Sequence, residues 1–67
     1  MGAFEDKVKG NWNILKGKFK KQYADLTDDD LLYEEGLEDE LLGRLQRRLG
    51  RTREELEREM DTYLLED

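Results

Sequence analysis

The sequence predicts an all-helical protein, a small bundle of about four helices, on three observations. Proline, the commonest helix breaker, is absent. Apolar residues in the first third recur at alternating steps of four and three, the period of one helix face, and strand-like alternation persists nowhere. Capping residues stand where each new helical pattern begins or ends.

The first helix is expected from about Phe4 to Ala24, with Phe4, Val8, Trp12, Leu15, Phe19, Tyr23 and Leu26 in one buried stripe. The stretch "LTDDDL" then stops one helix and starts another. Thr27 is a suitable N-cap, and Asp30 stands where its carboxylate reaches back to the cap's N–H. Leu26 and Leu31 occupy the positions of a hydrophobic staple, and Asp28, Asp29 and Asp30 complement the helix dipole. A short second helix is expected to reach about Glu35 and end at Gly36.

The third helix is expected over Leu37–Leu49, with Leu41, Leu42, Leu45 and Leu49 inward and Gly50 as its left-handed stop. Thr52-Arg53-Glu54-Glu55 reads as a capping box between Thr52 and Glu55 that opens the fourth helix. Its buried side should hold Leu56, Met60, Tyr63 and Leu64. Outside, Arg51/Glu55, Arg53/Glu57 and Glu54/Arg58 are spaced to pair, each contributing ~0.2–0.5 kcal/mol.

Sixty-seven residues make one small domain, taken as 1–67, which buries only about 60% of its unfolded surface. With no cysteine and no histidine, neither a disulfide nor a zinc or iron–sulfur site is expected. Charged residues are 45% of the chain and apolar ones 36%, close to the composition at which chains fail to fold, so the bundle should be loosely held. The start, Met1-Gly2-Ala3-Phe4-Glu5-Asp6, lacks the apolar core of a secretory signal, and its acids suit acylation of Gly2 poorly. No apolar run approaches the ~20 residues that span a bilayer. A soluble cytoplasmic protein is the expectation.

Charge is distributed in blocks. Residues 1–24 carry a net +4, residues 25–42 nine acids and no base, and residues 43–67 a net −1, for a total of −6. The lysines of the first helix, Lys9, Lys16 and Lys20 among them, suggest a surface for nucleic acid. Against this, its aromatic rings share the buried stripe, where bases could not stack, and the net charge repels a polyanion. Membrane attachment is disfavoured on similar grounds, because the acidic middle block repels anionic lipid. A calcium loop starting at Asp25 would need glycine at Asp30 and glutamate at Gly36. It has neither, so the aspartates are read as caps. Without histidine, cysteine or serine, the usual nucleophiles and neutral-pH base are missing, and no enzyme, cofactor or metal is expected.

Gly10 and Gly17 each cost a helix about 1 kcal/mol relative to alanine. With Ile14 they form a rear shelf bare of long side chains, suited either to close approach by a second copy in a weak homodimer or to nothing beyond loosening the helix.

Taken together, Gly10, Asn11, Trp12, Gly17, Lys18, Tyr23, Leu26, Thr27, Asp28, Asp29, Asp30, Leu31, Gly36, Leu41, Gly43, Leu45, Gln46 and Gly50 closely resemble the pattern of the CsbD-like family of small bacterial stress-response proteins. Ile14, Ala24 and Leu49 depart from what many of its members carry, so the rear shelf belongs to this chain rather than to the family. The resemblance implies four helices in two hairpins crossing at a steep angle, in a bacterial cytoplasmic protein that accumulates under general stress. It implies no substrate. The expected function is therefore a non-enzymatic protectant or weak interaction module, with nucleic-acid binding and a homodimer as alternatives and the partner unknown.

Overall fold

The computed structural model describes residues 3–66 and contains three helices, with no strand among the described residues. Helix α1 spans Ala3–Gln22, α2 spans Glu38–Leu49 and α3 spans Arg53–Leu65. Met1 and Gly2, considered above for acylation, and Asp67 lie outside the described residues.

Helix α1 forms because its apolar side chains meet the core once per turn. Phe4, Val8, Trp12, Leu15 and Phe19 are all buried. It is not one straight rod. Asn11 leaves helical geometry (φ −131°, ψ 17°), and its side-chain amide donates to the Lys7 carbonyl at 3.1 Å. A side chain inserted into the backbone ladder is a recognised cause of a kink.

The short second helix is not formed. The bonds that would start it are present: the Asp30 N–H donates to Thr27 Oγ1 (3.2 Å), and the Thr27 N–H donates to Asp30 Oδ2 (3.1 Å). Leu26 and Leu31 are both buried, and the Leu31 N–H is shared between the Thr27 and Asp28 carbonyls. Beyond that single turn, other groups occupy the carbonyls that propagation needs. Trp12 Nε1–H donates to the Leu31 carbonyl at 3.2 Å, and Arg44 Nη1 donates to those of Asp30 (3.1 Å) and Leu32 (2.7 Å). A helix would offer these carbonyls to the N–H groups four residues on. Gly36 turns the chain at φ 94°, and its N–H donates to Glu38 Oε2 (3.0 Å). Three helices cannot make two hairpins. Instead, α2 and α3 are joined by a tight turn and both pack on α1.

Helix α2 buries Leu41, Leu42 and Leu45 and starts one residue later than expected, with Leu37 as a cap that makes no side-chain bond. It stops where Gly50 takes φ 64°, and the Gly50 and Arg51 N–H groups both donate to the Gln46 carbonyl. Thr52 caps α3 with both bonds of the box: Glu55 N–H to Thr52 Oγ1 (3.1 Å) and Thr52 N–H to Glu55 Oε1 (2.9 Å). Leu56, Met60 and Tyr63 are buried, while Leu49, Leu64 and Tyr23 are half-buried at the margin of the core. Phe19 sits at the centre, edge-on to the Tyr63 ring at 5.1 Å.

Of the three surface pairs expected on α3, Arg53–Glu57 closes at 3.5 Å. Arg53 also reaches across to α1, donating to Glu5 at 2.8 Å with its guanidinium 5.3 Å from the Phe4 ring centre. This ties the start of α3 to the start of α1.

Candidate interaction surface

The basic flank of α1 meets the acidic connection between α1 and α2. Lys9 pairs with Glu35 at 2.8 Å and Lys20 with Asp28 at 2.6 Å. Hydrogen bonding and charge from Lys20, and then the charge of Lys16, hold the Asp28 carboxyl below its ordinary 3.8. Glu35 in turn raises the Lys9 ammonium above its ordinary range. The three lysines weighed for a nucleic-acid surface thus face the protein's own carboxylates. Lys7 pairs with Asp61, and Lys18 lies 3.6 Å from Glu66, so acids also meet lysines from the α3 side.

The aromatic rings are not available for stacking. Trp12 is 8% exposed and Phe19 fully buried, with Trp12 5.8 Å from the Tyr33 ring. Gly10, Ile14 and Gly17 lie together on the outward face of α1. Ile14 is 41% exposed, and a β-carbon at either glycine would meet nothing within 4 Å. Beside them lies a shallow groove of about 510 Å³ lined by Lys9, Gly10, Asn11, Trp12, Ile14 and Tyr33 among others.

Two arrangements escaped sequence reasoning. Glu59, on α3, accepts hydrogen bonds from the Tyr63 hydroxyl (2.8 Å) and the Tyr23 hydroxyl, while its other oxygen is buried without a partner. The four-residue spacing of Glu59 and Tyr63 was visible in the sequence; Tyr23, 36 residues away, carried no such signal. Burial first, and then the Glu59 carboxylate, pushes both phenols above their ordinary 10.0. The second is Tyr33, whose hydroxyl donates to Glu38; burial and that bond push it up to about 12. The same hydroxyl and the Gly36 N–H hold Glu38 below its ordinary 4.5.

Among the described residues no group of three acids converges as metal ligands, and no helix is long and apolar enough to cross a membrane. The fold and surface define a small helical protein with an aromatic core turned inward and much of its outward charge paired within the molecule. The family model for CsbD-like proteins matches residues 6–58, and the chain belongs to the CsbD-like family. It is 42% identical over 59 residues to the UPF0337 protein YjbJ of Escherichia coli, covering 88% of this chain and 86% of that one. It is 48% identical over 56 residues to the UPF0337 protein ECA0631 of Pectobacterium atrosepticum (84% and 81% covered). With the UPF0337 protein PA4738 of Pseudomonas aeruginosa it shares 46% identity over 58 residues (87% and 89%). No solved structure matches the chain at a significant level.

Proposed function

We propose that this chain is a non-enzymatic protein of the bacterial general stress response, acting in the cytoplasm through its hydrated surface as a protectant or weak interaction module. The observation that carries this reading is the inward placement of Trp12 and Phe19, which leaves a surface dominated by charge. Membership of the CsbD-like family supports the connection with stress. Heating or drying a labile enzyme with and without the protein tests it. Greater residual activity than an inert protein gives at equal mass is expected, and equal protection refutes the reading.

Nucleic-acid binding through Lys9, Lys16 and Lys20 is the competing reading, and the pairing of Lys9 with Glu35 and of Lys20 with Asp28 weighs against it. Titrating fluorescent single- and double-stranded DNA at ~20 mM salt, where attachment to phosphate is strongest, separates the two. No binding is expected.

A further inference from the structure

Two apolar patches on the surface carry opposite charge. The first is the outward face of α1 around Ile14, where Gly10 and Gly17 leave the backbone open to close approach. From Ile14 to Gln22 this helix carries four lysines and no acid. Lys21 stands two turns beyond Ile14 and one beyond Gly17, so it extends the same face. The second patch lies on the opposite-charge segment. Leu32 (63% exposed) and Leu37 (39%) line a shallow cleft with Glu34, Glu40 and Arg44.

Exposed leucines are common singly, but two in one cleft with glutamates on the rim form a patch with a preferred partner. Arg44, whose guanidinium donates to the Asp30 and Leu32 carbonyls, keeps its positive charge, so the two glutamates leave the cleft with one net negative charge. Among the described residues neither Glu34 nor Glu40 forms an ion pair, and neither does Lys21. Each patch thus has an apolar centre and an unpaired charge of the sign the other requires.

We infer that the chain self-associates by seating the Ile14 shelf of one copy in the Leu32/Leu37 cleft of a second copy. Shelf against shelf is the poorer arrangement, because it would set the lysine-rich halves of two α1 helices face to face. The net charge of −6 opposes association at long range. At ~0.15 M salt the screening length of about 8 Å suppresses that repulsion between centres while leaving contact pairs attractive. The molecule measures 31 × 26 × 20 Å, so the centres stand well beyond that length. This contact is independent of the protectant reading: a chain that fails to protect an enzyme can still self-associate.

Sedimentation at ~0.15 M salt, from about 10 µM to about 1 mM, covers the weak contact that patches of this size support. The wild type should rise in mass above 8.0 kDa with concentration. Ile14→Glu and Leu32→Lys should each remain monomeric, and an equimolar mixture should regain association, since one variant keeps an intact cleft and the other an intact shelf. A wild type that stays monomeric overturns the inference. So does Leu32→Lys associating as the wild type does, or a mixture that stays monomeric. Helical circular dichroism checks each fold, and Ile14→Ala and Leu32→Ala, which remove the apolar contact alone, replace any variant that loses it.

Discussion

Trp12 joins two parts of the molecule through one atom. Its Nε1–H reaches the Leu31 carbonyl at 3.2 Å in a buried setting, while its ring lies 6.2 Å from Phe19 and 5.8 Å from Tyr33. Trp12→Phe keeps an aromatic ring but leaves that carbonyl without its donor, at a cost of about 1–3 kcal/mol. With a urea m-value of ~1 kcal/mol/M, the midpoint followed by circular dichroism should fall by about 1 M or more. An unchanged midpoint would show that the bond contributes nothing to stability. Arg44 acts in a related way on the carbonyls either side of Leu31, so two side chains set the path of the connection.

At the scale of elements, the glycines divide by backbone geometry. Gly50 ends α2 at φ 64°, where any other L-residue is strained by ~1–2 kcal/mol. Gly17 lies inside α1, and a β-carbon there meets open space, so alanine should gain ~0.5–1 kcal/mol of helix stability. Thermal unfolding in dilute solution should therefore rise by roughly 4–8 °C for a full 1 kcal/mol gained in Gly17→Ala and fall by a similar or larger amount in Gly50→Ala. Equal shifts in the same direction would contradict the assignment. Most of each helix was legible in the sequence. The stripe of α1 and the capping box of α3 depend on neighbours three or four residues apart. The turn at residues 28–31 was legible only up to its first bonds, since what halts it comes from Trp12 and Arg44, far along the chain.

Across the whole molecule, paired charge makes stability depend on pH at both extremes. Asp30 is held below 3.8 by the Thr27 N–H and then by Arg48, and Glu55 is held below 4.5 by the Thr52 N–H. Glu38 is held below 4.5 as well. A lowered carboxyl favours the folded state fully above its ordinary value, and that contribution is lost as pH falls through the folded value. Tyr33 is raised from 10.0 to about 12, and its contribution is present below 10.0 and lost as pH rises through about 12. Stability should thus be level between 4.5 and 10.0 and decline on both sides. Circular dichroism with phenolate absorbance measures this. Tyrosines titrating near 10.0 with the helices intact would refute the alkaline limb.

The order of residues alone decided that the chain is helical, which face of each helix is apolar, where α2 begins and ends to within a residue, and where α3 begins. Those properties come from side-chain period and from bonds that span at most one turn. Only the tertiary structure decided that the aspartate turn stays a turn, that Lys9 and Lys20 are met by Glu35 and Asp28, and that Glu59 gathers two tyrosines. Each of these depends on groups from separate segments meeting in space: donors that take carbonyls a helix would have used, and carboxylates that meet lysines from another segment. The same meeting of segments places the leucine cleft and the Ile14 shelf on the surface with opposite charge.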